Sequence, residues 1–131
     1  MIFVSYRANL FVTNLEKSTR FYCDILGFEI QMYDSDFGLT MLGRDKAQLA
    51  LVQTNQVHPH QGFAEGYLEV DALEELFQHC LQHGVTITQQ PTIHPWNMRD
   101  FVIVERHCDW RTPQIKLNMN PRFDPQPFIE F

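Results

Sequence analysis

The sequence predicts an α+β fold: two βαβββ modules whose strands form a curved, roughly eight-stranded mixed sheet with a concave cleft. Two observations carry this expectation. Two segments show helical apolar spacing with their own start and stop signals, and each lies between segments of strand pattern. Sliding the chain by 58 residues also superposes Val12 on Val70, Leu15 on Leu73 and Glu16 on Glu74, so the two helices read as copies of one unit.

In chain order, ANLFV (8–12) is the first expected strand. A helix follows Thr13, which stands three residues before Glu16 at the spacing of a capping box. Leu15, Phe21, Tyr22, Ile25 and Leu26 supply its apolar face, and Gly27 closes it. FEIQMY and GLTML then alternate as strands do, and GRDK forms the hairpin turn into AQLALVQ. The second copy runs GYLEV, a helix after Asp71 with Glu74 three residues on, then VTITQ, DFVIVER and QIKLNMN. Its helix presents Leu73, Leu76, Phe77, Cys80 and Leu81 on one face and ends at Gly84.

These elements divide a single domain, 1–131, into module one at about 1–54, a linker at about 55–64, module two at about 65–119 and a C-terminal arm at about 120–131. The polar TNQVHPHQGFAEG contains Pro and Gly, as a linker should. The tail NPRFDPQPFIEF, with its three prolines, reads as extended, and its phenylalanines need cover from the same chain or from a partner.

Composition limits the function classes. With 131 residues, 44% of them hydrophobic, the chain can bury one sizeable core. A net charge of -6 argues against a nucleic-acid partner and is compatible with a cationic ligand. No segment has the length to span a bilayer and the start lacks a signal-peptide pattern, so a cytoplasmic protein with no membrane partner is expected. Cys23, Cys80 and Cys108 are odd in number and far apart, which suits reduced thiols. His79 and His83, four apart on the second helix, read as surface residues, and His58, His60 and His107 complete no ligand set.

The segments NLEKSTRFYCDILGFEI and PWNMRDFVIVE, set in paired βαβββ modules, resemble the vicinal-oxygen-chelate superfamily of glyoxalases, bleomycin-resistance proteins and dioxygenases. The resemblance spans nearly the whole chain, and PWNMRDF is closest to the bleomycin-resistance type. Metal-dependent members carry a ligand near the start of the first strand and on the last strand of each module. Aligned onto this sequence, those positions are Arg7, Ala50, Glu65 and Lys116. Only Glu65 suits a divalent cation, whereas a guanidinium and an ammonium repel one, so no metal and no cofactor are expected. The turn also departs from the family, with ERHCDWRTP where a DPDGN-like sequence is expected.

Arg7, Glu65 and Lys116 then have two uses: a buried ion network in place of the metal, or a grip on an anionic group of a ligand. The resemblance further implies a drug held without chemistry between aromatic rings at a dimer interface, with Trp96 as one ring. Phe37, Phe63 and Trp110 are further aromatic candidates, Arg99 is a polar one, and Asp34 and Asp36 either add rim charge or simply form a turn. His94 is not assigned as a ligand. The expectation is a metal-free, homodimeric small-molecule-binding protein with no catalytic residues, sequestering an aromatic or cationic molecule such as an antibiotic. The alternatives are an enzyme of the same superfamily with a relocated metal or acid–base chemistry at Glu65, and an interaction module without a ligand.

Overall fold

A computed structural model of the chain describes residues 1–54, 64–95, 98–104 and 114–119, with backbone alone for 64–66, 114–116 and 118–119. The first compact unit gathers β1 (Ala8–Val12), α1 (Leu15–Asp24), β2 (Glu29–Asp34), β3 (Leu39–Arg44) and β4 (Ala47–Gln53). The second gathers β5 (Ala64–Glu69), α2 (Leu73–Gln82), β6 (Thr86–Ile93), β7 (Arg99–Val104) and β8 (Gln114–Met119). The βαβββ order therefore occurs twice, and the helices keep the 58-residue offset at both ends, Leu15 to Leu73 and Asp24 to Gln82. The offset is larger for the last strand, Ala47 to Gln114, because the ERHCDWRTP segment lies before β8.

The eight strands form two four-stranded mixed sheets, ordered β1-β4-β3-β2 and β5-β8-β7-β6. In each, the first strand pairs in parallel with the last, and the remaining pairs are antiparallel. The strand after the helix lies at the far edge, and two antiparallel steps from it bring the last strand back in the direction of the first, which it joins as a parallel neighbour. The GRDK hairpin closes β3 onto β4 with Asp45 at φ 52°, as a tight two-residue turn requires. β6 is an edge strand, which is why it tolerates Pro91; the ladder to β7 shifts register between Gln89 and Thr92.

Each helix covers one face of its own sheet. α1 packs on β3 and β4, burying Leu15, Ser18, Thr19 and Tyr22, and Tyr22 meets Phe28 edge-to-face at 6.1 Å. Beneath it Leu10, Val12, Leu42, Leu49 and Leu51 form the apolar layer, each fully burying side chain contributing about 1.5–3 kcal/mol. Two polar groups enter that layer together, Thr19 Oγ1 bonding Thr40 Oγ1 at 3.1 Å, so neither hydroxyl is left unmet. In the second unit Leu73 and Cys80 are buried, and Phe77 packs edge-on against Phe101 at 5.3 Å. Leu81, expected on this face, is 48% exposed, because it sits in the last turn beyond the reach of the sheet.

The helix starts differ from the capping boxes read in the sequence. Asn14, not Thr13, is the N-cap of α1, its Oδ1 accepting from Lys17 N–H at 3.0 Å. The next orphan donor, Leu15 N–H, is met from across the fold by Gln53 Oε1 at 2.7 Å, while Gln53 Nε2 donates to Thr13 O at 2.5 Å. A local cap one residue later and a tertiary contact thus share the first turn between them. α2 begins after Ala72 with no side-chain cap, so Asp71 does not serve as one. Gly27 and Gly84 end the helices in the left-handed region, φ 72° and 69°, as expected. Arg44 Nη1 donates to Leu26 O at 2.7 Å and brings to the end of α1 a cation that its own last turn lacks.

Gln53→Ala is expected to cost about 1–3 kcal/mol, since it removes the partner of a part-buried helix N–H, and Asn14→Ala about 1 kcal/mol. Urea denaturation followed by circular dichroism measures both; equal stability of Gln53→Ala and the parent would remove the cross-fold cap.

Candidate functional site

With α1 and α2 each occupying one sheet face, the opposite faces are left for function. In the first sheet the Thr19–Thr40 bond marks the helix side, and the register aligns Leu42, Leu49 and Leu51 with it. Alternation then assigns Asn9, Met41 and Ala50 to the other face, with Arg7 two residues before Asn9 sharing its parity. Two of the sequence candidates, Arg7 and Ala50, therefore belong to one face of one sheet.

Arg7 is committed to the protein. Its Nη1 donates to Leu42 O at 2.9 Å and Leu49 O at 2.8 Å, the carbonyls of a directly paired β3–β4 rung. Its Nη2 donates to Gln31 Oε1 at 2.6 Å. Gln31 occupies the register shift of β2 and lies over Gly43, where a Cβ would collide with its amide. The absent side chain at Gly43 is what allows this close approach. Ala50, by contrast, is 2% exposed and brings no donor atom at all.

The other candidates fall in several places. Phe37 is 81% exposed at the β2–β3 turn, where Asp34 Oδ1 accepts from the N–H groups of Asp36 at 3.0 Å and Phe37 at 3.1 Å. That turn answers one question about the acidic pair: Asp34 shapes the loop. Glu65 stands at a register shift between β5 and β8, and Lys116 pairs with Tyr67 and Val102; the side chains of both lie outside the described residues. Phe63, Trp96 and Trp110 lie outside them too, as do His58, His60, His107 and Cys108. Arg99 faces α2 and pairs with Glu74, on the helix side of the second sheet with Phe101 two residues on.

A polar cluster that sequence reasoning missed lies on the opposite side of β7. Asp100 is 2% exposed; its Oδ1 accepts from Gln89 Nε2 at 2.6 Å and lies 2.8 Å from His94 Nε2. The alternation of DFVIVER carried the signal: a residue between Arg99 and Phe101 must face the other way, and a carboxyl buried there needs donors.

Known proteins of this architecture settle the family. The model for the glyoxalase/bleomycin resistance protein/dioxygenase superfamily matches residues 5–113. The chain belongs to that superfamily. It is 26% identical to the bleomycin resistance protein of Geobacillus stearothermophilus, an alignment covering 72% of this chain and 83% of the relative. Its fold is similar to the bleomycin resistance determinant encoded on transposon Tn5, with a TM-score of 0.74, 21% identity, and 91% and 99% of the two chains covered. It is also similar to lactoylglutathione lyase from Agrobacterium tumefaciens, with a TM-score of 0.70, 13% identity, and 89% and 93% covered. The fold thus serves both a resistance protein and a lyase, and cannot by itself decide between binding and catalysis.

For this superfamily member, the positions that metal-dependent relatives use do not fit an ion on the first sheet. The Arg7 guanidinium already donates to three acceptors, and Ala50 has nothing to offer. Among the described residues, no three His, Cys, Asp or Glu side chains gather for one ion. His79 and His83 meet with ring centroids 4.2 Å apart and planes tilted by 41°, and His83 Nδ1 lies 2.9 Å from His79 O at the helix end.

Among the described residues, the thiols of Cys23 and Cys80 are poor nucleophiles. Burial pushes the Cys80 thiol up to about 11, and burial together with the nearby Asp24 charge raises Cys23 as well. At pH 8 native Cys80 is therefore expected to resist iodoacetamide, checked by mass spectrometry of tryptic peptides. Because the folded thiol holds its proton above its ordinary 9.0, its contribution to stability is full below pH 9 and is lost as pH rises toward about 11. A Cys80→Ala variant should lack that component of the alkaline decline. For Arg7, replacement by Met should cost about 1–3 kcal/mol in urea denaturation, and Lys should recover only part, since an ammonium lacks the planar fork.

Proposed function

We propose that this chain binds a small molecule without transforming it, in the manner of the bleomycin-resistance branch of its superfamily. The observation that carries the reading is the donor set at the ancestral metal positions. A guanidinium already donating to three acceptors and an alanine stand where Lewis-acid chemistry would need ligands, so the first sheet offers no support for polarising a substrate. The ligand class follows from charge and rings. A net charge of -6 favours a cation, and flat groups of such a molecule would stack on aromatic side chains.

In this reading Trp96 is the principal stacking ring, with Phe37, Phe63 and Trp110 as further aromatic contacts. Phe37 supports it directly, because an aromatic ring held out in water by its own Asx turn has no packing role to explain it. Glu65 and Lys116 are the polar contacts; Arg7 shapes the floor through Gln31, and Arg99 acts through Glu74. The functional unit is a homodimer whose groove receives the ligand, and the protein acts in the cytoplasm. The kinship with the Geobacillus bleomycin resistance protein makes bleomycin the first molecule to try.

Titration with metal-free bleomycin, followed by thermal shift and Trp fluorescence with and without EDTA, tests this. The expected result is a raised midpoint, unaffected by chelator. Trp96→Ala should weaken binding by about 5- to 30-fold, the equivalent of about 1–2 kcal/mol of stacking and cation–π energy. Phe37→Ala should weaken it less and change stability by under about 0.5 kcal/mol. Stoichiometric metal in the purified protein, required for turnover of an α-keto hemithioacetal or a catechol, would overturn the proposal.

A further inference from the structure

At the end of α2, His79 and His83 bring two imidazoles together with ring centroids 4.2 Å apart. Residues four apart lie on one side of a helix, one turn from each other, and this is the spacing at which a helix can offer two imidazoles to one ion. His83 Nδ1 lies 2.9 Å from His79 O. A carbonyl only accepts, so in the neutral ring this hydrogen bond requires the proton on Nδ1 and leaves the lone pair of His83 on Nε2. Ligating histidines are held in this way, one ring nitrogen donating to a carbonyl while the other keeps its lone pair for the metal.

The separation of the rings favours one kind of ion. With metal–nitrogen bonds of about 2.0–2.1 Å, two imidazoles at a right angle on one ion set their centroids about 4.5 Å apart, and the tetrahedral angle sets them about 5.2 Å apart. The observed 4.2 Å is close to the first value and about 1 Å short of the second. Right-angle coordination by nitrogen and oxygen is the geometry of Cu(II) and Ni(II), and Cu(II) binds such donors most tightly among the first-row divalent ions. Two imidazoles take two corners of the plane and water can take the others, so a third His, Cys, Asp or Glu is not needed.

The helix end favours a cation as well. The carbonyls of a helix C-terminus attract positive charge, yet the last turn of α2 has His79 as its only basic residue. The end of α1 receives the Arg44 guanidinium; the end of α2 carries the imidazole pair. We infer that His79 and His83 form a two-imidazole chelate for a divalent copper or nickel ion, clipping the last turn of α2. Any further bond that either ring makes competes with the ion and lowers its affinity without altering the geometry of the chelate. α2 covers the side of β7 opposite Asp100, away from the positions where metal-dependent relatives hold their ion, and the inference does not rest on the small-molecule reading.

Protein without an affinity tag, stripped with EDTA and then dialysed, is titrated with Cu(II), Ni(II) and Zn(II) by calorimetry against glycine as competitor. Electron paramagnetic resonance of the copper-loaded protein counts the nitrogen ligands. The expected result is a single tight Cu(II) per chain with two imidazole nitrogens, a raised thermal midpoint, and weaker binding of Ni(II) and then Zn(II). His79→Ala and His83→Ala should each lower Cu(II) affinity about 10-fold or more, and the double variant by less than the product of the two, because one lost ring already abolishes the chelate. If either single substitution leaves the affinity within about two-fold of the parent, the inference fails. Copper held as tightly by the double variant belongs to other donors among the six histidines and overturns it too. Zn(II) binding as tightly as Cu(II) would refute the right-angle geometry. Should an alanine variant lose helix content by circular dichroism, His79→Gln and His83→Gln take its place, keeping a polar side chain without the imidazole donor.

Discussion

The constraint on which the rest depends is that each four-stranded sheet gives one face to its own helix. Strand side chains alternate, so once α1 takes the side of Thr40, Leu42, Leu49 and Leu51, the identity of every residue on the other side is fixed by parity. The same rule separates Arg99 and Phe101, which meet α2, from Asp100, which does not. A slip of one residue in either module would bury the arginine and free the core. The face that the helix leaves is the one whose side chains the core does not claim.

Long polar side chains finish what the short elements leave incomplete. Gln53 reaches from the end of β4 to the first turn of α1, Arg44 from the end of β3 to its last turn, and Arg7 from the start of β1 to two carbonyls of the neighbouring strands. Each spans more than 15 positions in sequence, with separations of 38, 18 and 35 or 42. A ten-residue helix is marginal in isolation, so these ties and the packing beneath it supply the order that propensity alone does not.

The two modules have diverged by the same logic. The exposed edge of the first sheet, β2, carries Ile30, Met32 and Tyr33 in the open, while the corresponding edge of the second, β6, is polar and contains Pro91. Their turns differ as well. One presents Phe37 on an Asx turn, and the other is a hairpin locked by a buried carboxyl and an imidazole. A duplicated scaffold thus keeps its helix-facing layers alike and varies its loops and edges, as expected where loops carry specificity.

The sequence by itself determined the architecture. The strands ANLFV and AQLALVQ occur at their expected limits, both helices occur as copies 58 residues apart, and the family follows from motifs on helix one and before β7. Periodicity and glycine stops are local properties, and local properties survive in a string of letters. Tertiary structure decided the reach of Gln53 to the first turn of α1, the turning of Arg99 toward α2, and the meeting of Gln89, His94 and Asp100. Each of those outcomes depends on which neighbour a side chain finds once the sheet is assembled. Spacing along the chain fixes which face a residue occupies, but only the packed strands fix what waits there to be bonded.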